Sequence, residues 1–332
     1  MLKALLIGAG FIGKVHAECL AQSARAHLGF VVDTDVRRAA ALGAAASSAT
    51  LDDGLSAGCD FAIIATPTEA HGPVARACIA ANLPFLCEKP IDVDLDSAVE
   101  TARAAKTAGL RTGLAFNRRH DAQYLALKAH VAAGDVGTVE TMVLTSRTQS
   151  APAAGYIAAS GGMMRDKGAH FFDLACWLSG SRPAEVFAQG ACLFEPGYAR
   201  HGDVDTAVLS LRMQSGAFCQ MNFSRRTGYG YDERIEIAGS AGMVQARIPV
   251  AVDVALYKGA HVVSGGGHAH WYDRVRATYP AQLAAYLDHL ETGAAFPSVQ
   301  DGLVAEAVAR AAERSMRTGA AEPVDYALAD AV

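Results

Sequence analysis

What this chain lacks narrows its function first. It carries no excess of basic charge: 29 lysines and arginines face 34 aspartates and glutamates, for a formal net charge of -5. A nucleic acid finds no electrostatic footprint there, whereas an anionic or neutral small molecule is not excluded. The seven cysteines include no Cys-x-x-Cys pair. An odd, unclustered count without a secretory leader points to reduced thiols and a cytoplasmic protein. No leader is expected, because residues 1–7 are too few for a signal core and run straight into a glycine loop. Nor does any polar-free apolar stretch reach membrane-spanning length. With 51% hydrophobic and 19% charged residues, the chain is neither disordered nor fibrous. Its 332 residues exceed one ordinary core, so two domains are expected.

What is present begins at residues 3–7, an apolar β-capable run followed at once by Gly8-Ala9-Gly10-Phe11-Ile12-Gly13 and then by helical spacing. This is GxGxxG between a strand and a helix, the context a dinucleotide loop requires. Gly8 permits the tight turn, Gly10 lets a pyrophosphate approach the backbone, and Gly13 lets helix and strand pack. Phe11 and Ile12 sit in the same loop, at a helix N-terminus that favours phosphate. A second strand, residues 29–32, ends in Asp33, where a carboxylate would meet the ribose hydroxyls. Asp33 would repel a 2'-phosphate, so the pattern predicts NAD rather than NADP. Arg37 and Arg38, close behind, either face solvent or offer a contact to such a phosphate.

Residues 60–65 read as another buried strand, ended by Thr66-Pro67-Thr68. Thr66 and Pro67 are placed to line the nicotinamide side of a crevice. His71, at the start of the next helix, either joins them or is a capping or surface residue. The apolar residues 83–86 then lead into Cys87-Glu88-Lys89-Pro90. A lysine ending a buried strand is badly placed for packing and well placed to project into the crevice at a sheet's carboxyl edge. A helix over 96–108 with Gly109 as its stop, and a strand over 111–116, complete the alternation that predicts a parallel sheet. Residues 1–118 are therefore expected to form an NAD-binding Rossmann domain.

In residues 119–332 the pattern changes to alternating strands over 138–148, 186–193, 206–213, 217–223 and 234–237. Turns at Gln214-Ser215-Gly216 and Gly239-Ser240-Ala241-Gly242 predict hairpins and a mostly antiparallel sheet. Helical spacing over 168–178 puts Asp166 and His170 at i, i+4 and Asp173 three residues beyond His170, on one face. Oxidation of a secondary alcohol needs a base for the hydroxyl proton while hydride leaves. Histidine suits that task, a carboxylate would orient its ring, and Lys89 would stabilise the developing alkoxide. A core histidine and a capping aspartate are the plainer alternative. No third ligand is spaced to make Asp166 and His170 a metal site. His261, His268 and His270 flank Gly265-Gly266-Gly267, a predicted loop. Trp177 and Trp271 are expected in the core.

The ordered set GAGFIGKVHAE, Glu88-Lys89-Pro90, FNRRHD (116–121), SGGMMRDKGAHFFDLACWL (160–178) and YGYDERIEIAGSAGM (229–243) resembles the glucose–fructose oxidoreductase / inositol dehydrogenase family (Gfo/Idh/MocA). The resemblance runs along nearly the whole chain. It implies an α/β protein: an N-terminal Rossmann domain, then an α/β domain whose large, mostly antiparallel sheet covers the active site and builds a homo-oligomer, dimer or tetramer. It implies Lys89, Asp166 and His170 as the catalytic set, with Glu88, Lys89 and Asn117 beside the cofactor. Phe116-Asn117-Arg118-Arg119, Tyr156-Ile157, Arg165-Asp166 and Gly230-Tyr231-Asp232 make the likeness strongest to inositol 2-dehydrogenases. The expected activity is NAD-dependent oxidation of a cyclic polyol, myo-inositol to its 2-ketone, with scyllo-inositol or a sugar as the alternative. A non-catalytic sensor would lack the lysine or the histidine, and both are here. Substrate contacts are expected from Lys89, Asn117, Arg119, Gln149, Asp166, His170, Asp173 and Tyr279, with Tyr229 and Tyr231 as a mobile rim. Lys167-Gly168-Ala169 and Phe171 depart from the pattern around the histidine and leave the identity of the polyol open.

Overall fold

Strands buried on both faces need apolar residues at every position, and the first sheet has them: Phe61, Ala62, Ile63 and Ile64 are all 0% exposed. The computed structural model describes residues 1–332 except 251–253 and 260. In chain order its elements begin β1 (Leu2–Ile7), α1 (Phe11–Gln22), β2 (Ala26–Val32), α2 (Val36–Ala40), β3 (Ala46–Ser48) and α3 (Leu51–Leu55). There follow β4 (Phe61–Ile64), α4 (His71–Ala80), β5 (Phe85–Cys87), α5 (Leu95–Ala108), β6 (Gly113–Leu114), α6 (Ala122–Ala133) and β7 (Val139–Arg147). Next come α7 (Ala154–Ser160), α8 (Ala169–Ser179), β8 (Pro183–Ala191), β9 (Thr206–Met213), β10 (Phe218–Ser224), β11 (Asp232–Gly239) and β12 (Gly242–Ala246). The chain closes with β13 (Ala255–Lys258), β14 (His261–Ser264), α9 (Trp271–Val275), α10 (Thr278–Thr292), α11 (Val299–Thr318), β15 (Glu322–Pro323) and α12 (Ala327–Asp330).

Two units divide the chain, but not at a single cut. The first gathers Met1–His120, Thr278–Ala305 and Tyr326–Val332; the second, Asp121–Ala277 and Glu306–Asp325. The expected boundary after residue 118 thus falls beside the first unit's break at His120, whereas the late residues 278–305 and 326–332 return to the first unit. The first unit's six strands run in the order β3-β2-β1-β4-β5-β6, every neighbouring pair parallel. This is the doubly wound order with its topological switch at β1/β4. Asp94 caps α5 by accepting the Ser97 N–H at 2.9 Å, and the predicted stop Gly109 takes a left-handed φ of 62°.

The second unit holds a seven-stranded sheet in the order β12-β11-β7-β10-β9-β8-β15. Its pairs are antiparallel except β7 with β10, which run parallel. Side chains alternate across it. Leu144, Leu211, Phe223, Ile235 and Ile237 turn inward at 0% exposure, and the rings of Phe171 and Phe172 on α8 meet Phe223 at 5.6 and 6.3 Å. Each such fully buried side chain contributes roughly 1.5–3 kcal/mol. Val143, Phe187, Val208, Phe218 and Met243 lie on strands of this sheet and are exposed. Among the described residues β13 and β14 pair only with each other, so His261 stands in a strand rather than in the predicted loop. Trp271, expected in the core, is 37% exposed. Trp177 is half-buried, with the Lys128 ammonium 5.9 Å from its ring centroid.

Candidate active site

At the carboxyl edge of the first sheet, the strand ends are tied to one another by side chains. Asp33, following β2, accepts the Ala9 N–H of the glycine loop at 2.7 Å and the Asp35 N–H at 2.8 Å. The Arg38 guanidinium stands 3.1 Å from the same carboxylate, so Arg38 does not simply face solvent. His71 is 2% exposed. Its ring nitrogens meet the carbonyls of Pro90 at 2.6 Å and Thr66 at 2.9 Å, joining the loops after β4 and β5. His71 is therefore not a surface residue. His16 on α1, 1% exposed, bonds Glu88 Oε1 at 3.0 Å. Glu88 thereby anchors the segment whose next residue is Lys89. The Lys89–Pro90 peptide bond is cis, and Lys89 is partly exposed.

The glycine loop fits a dinucleotide on steric grounds. Gly8 has φ 101°, and a Cβ there would lie 2.4 Å from the Ala65 carbonyl oxygen. A Cβ on Gly13 would lie 2.0 Å from the Gly8 carbonyl oxygen. A Cβ on Gly10 meets nothing within 4 Å, leaving open space at the position where a pyrophosphate approaches the backbone. No side chain caps the N-terminus of α1 and its first turn holds no acid, as an anion site requires. Phe11 is exposed at that end, and Ile12 partly so. The Thr66 hydroxyl is buried and meets no hydrogen-bond partner among the described residues. Pro67 beside it is exposed. These residues would hold the phosphates and ribose of NAD and flank its nicotinamide.

In the second unit, the stretch preceding α8 is wound as a π turn over Met164–Gly168. Asp166 lies in that turn and His170 in the α-helix beyond it, so their four-residue spacing spans two windings rather than one helix. Single π turns of this kind recur at functional sites. Asp166 Oδ1 accepts the Tyr156 hydroxyl at 3.0 Å, and Oδ2 lies 3.3 Å from Arg225 Nη1. Burial, with the Asp166 carboxylate beside it, pushes the Tyr156 phenol above its ordinary pKa. His170 is 9% exposed and Asp173 3%.

A profile described as the oxidoreductase family with NAD-binding Rossmann fold matches residues 2–116, and the GFO/IDH/MocA C-terminal domain matches residues 124–245. The chain belongs to the Gfo/Idh/MocA oxidoreductase family. Its cofactor is NAD. It is 35% identical to the inositol 2-dehydrogenase of Rhizobium meliloti, over 94% of this chain and 96% of that one. To the myo-inositol 2-dehydrogenase of Thermotoga maritima it is 33% identical over 77% of each. A crystal structure of a myo-inositol dehydrogenase from Corynebacterium glutamicum superposes with TM-score 0.92 at 30% identity, covering 98% of this chain and 99% of that one.

The remaining expected contacts of this family member are placed unevenly. The Asn117 amide donates to Thr278 Oγ1 and accepts from Arg118, each at 3.0 Å. Arg119 pairs with Asp301 at 3.0 Å. Tyr279 is 4% exposed, with its ring edge-on to His16 at 5.8 Å. The two rim tyrosines differ. Tyr229 is exposed and shares its hydroxyl between Asp232 at 2.8 Å and Arg147 at 2.9 Å. Tyr231 is 4% exposed and donates to Glu233 at 2.6 Å, which makes it a packed residue rather than a mobile rim. Gln149 is exposed, in the loop after β7. Among the described residues no helix is long and apolar enough to cross a membrane.

Proposed function

We propose that this family member oxidises a secondary alcohol of inositol to the ketone, myo-inositol to its 2-keto product. Bound NAD supplies the hydride acceptor. His170 takes the hydroxyl proton onto a ring nitrogen as the C–H bond breaks. Lys89 donates a hydrogen bond to the oxygen that becomes the carbonyl and stabilises its developing negative charge. Asp166 and Asp173 accept hydrogen bonds from ring hydroxyls. Asn117, Arg119, Gln149, Tyr229, Tyr231 and Tyr279 are proposed to shape the pocket. The observation that carries this reading is the position of Lys89, two residues past β5, at the sheet edge where the glycine loop also begins, after β1.

Scyllo-inositol or a sugar is the second reading, because the departures at Lys167-Gly168-Ala169 and Phe171 leave the identity of the polyol open. The test is a panel of myo-inositol, scyllo-inositol and glucose with NAD, following NADH absorbance and identifying the ketone by NMR. Turnover of myo-inositol supports the first reading, and a preference for scyllo-inositol or glucose replaces it. Tight NAD binding with turnover of none would mark a non-catalytic binding protein.

We further propose that the enzyme is a cytoplasmic homo-oligomer, up to a tetramer. Val143, Phe187, Val208, Phe218 and Met243 form an exposed apolar set on the second sheet, which a second copy would cover. The seven cysteines are scattered, with no Cys-x-x-Cys pair, in keeping with a reducing compartment. Sedimentation of the wild type and of Phe218→Glu tests the assembly: a monomeric wild type contradicts it.

A further inference from the structure

β10 points alternate side chains inward, and Cys219, Met221 and Phe223 are buried. The next inward position beyond the strand is Arg225, only 4% exposed. A buried guanidinium is unfavourable unless it is paired. Here Nη1 lies 3.3 Å from Asp166 Oδ2 and Nη2 lies 3.6 Å from Asp203 Oδ2. Asp203, on the far side, is itself held, its Oδ1 accepting the Met163 N–H at 2.8 Å. The Arg225 N–H donates to the Asp205 carbonyl at 2.9 Å, and the Tyr198 ring centroid lies 6.0 Å from the guanidinium. Arg225 is thus fixed from its main chain and from Asp203. The two oxygens of Asp166 are consequently unlike. Oδ2 faces a buried cation, and Oδ1 faces the phenol of Tyr156, a residue 51% exposed.

We propose that Arg225, backed by Asp203, is a positioning residue that holds Asp166 ionised through Oδ2 and leaves Oδ1 for a substrate hydroxyl in place of the Tyr156 phenol. This rests on the reading of Asp166 as a substrate contact. Arg225 touches no substrate on this account and acts only through Asp166, so its removal is redundant once Asp166 is gone.

The experiment is a double-mutant cycle on the full-length enzyme, using Asp166→Asn, Arg225→Met, the double variant and Arg225→Lys, with kcat, KM, NAD affinity and melting temperature for each. Asp166→Asn and Arg225→Met are each expected to lower kcat/KM by about 10–100-fold, and the double variant to be within about twofold of Asp166→Asn alone. NAD affinity stays unchanged, and Arg225→Lys recovers most of the loss. If Arg225→Met does not fold, Arg225→Gln carries the test: it must lower kcat/KM when Asp166 is present and not when it is combined with Asp166→Asn. Full turnover by Asp166→Asn overturns the role of Asp166 and this proposal together. A damaged Asp166→Asn beside an undamaged Arg225→Met, or losses that multiply in the double variant, overturns this proposal alone.

Discussion

The Asp33 carboxylate accepts the Ala9 N–H at 2.7 Å while Arg38 stands 3.1 Å from its other oxygen. One side chain therefore fixes the glycine loop and holds an arginine close to the expected ribose site. Asp33→Ala removes the acceptor and releases that cation. The expected outcome is a shift of about tenfold or more in the ratio of kcat/KM for NAD over NADP, toward NADP, which corresponds to about 1.4 kcal/mol. Steady-state kinetics with both cofactors checks it, and an unchanged ratio counts against a ribose role for Asp33.

Gly10 and Gly13 make different demands. At Gly13 a methyl would lie 2.0 Å from the Gly8 carbonyl oxygen, while at Gly10 it meets nothing within 4 Å. Gly13→Ala is expected to lose about 1–3 kcal/mol of stability through overpacking. Gly10→Ala is expected to stay within about 0.5 kcal/mol of the wild type and to bind NAD about tenfold or more weakly. Urea unfolding and fluorescence titration with NAD separate the two effects.

Removing the His71 ring leaves the Thr66 and Pro90 carbonyls without the ring nitrogens they now meet at 2.9 and 2.6 Å. His71→Ala is expected to destabilise the protein by about 1–3 kcal/mol. It should also lower turnover, because the loop carrying Lys89 loses its tie to the loop after β4. A variant with wild-type stability and wild-type turnover would show the ring to be dispensable.

His120 stacks on Phe296 at a centroid separation of 5.3 Å. Burial, with Arg119 adding to it, lowers its pKa to about 4. The unfolded value is about 6.5, so the folded state binds this proton more weakly. The stability His120 contributes is then full above about pH 6.5 and is lost as the pH falls toward about 4. Thermal melts across that window should show a shallower acid decline in His120→Phe than in the wild type, and parallel curves would contradict the assignment.

Much of the first unit was legible because its signals are local. The run at residues 61–64, the glycine loop with Asp33, and Gly109 as a helix stop each depend on near neighbours in sequence. Three features are not local. The parallel pairing of β7 with β10 depends on strand order, which hairpin turns do not encode. The return of residues 278–305 and 326–332 to the first unit reflects tertiary packing of amphipathic helices. The π turn at Met164–Gly168 has no signature in apolar spacing. Arg225 was within reach, since extending the inward alternation of Cys219, Met221 and Phe223 by one step puts a charge in the core. His16 was hidden inside a helix read only for its packing. The carboxylate it bonds, on Glu88, belongs to the motif that drew attention to Lys89.

The most direct measurement is NADH formation from NAD and myo-inositol by the wild type, Lys89→Ala and His170→Ala. The wild type should produce NADH, and each variant should bind NAD as the wild type does while losing about 100-fold or more of kcat. Undiminished turnover in either variant, or none by the wild type on any ring polyol, would contradict proton removal by His170 and oxygen stabilisation by Lys89.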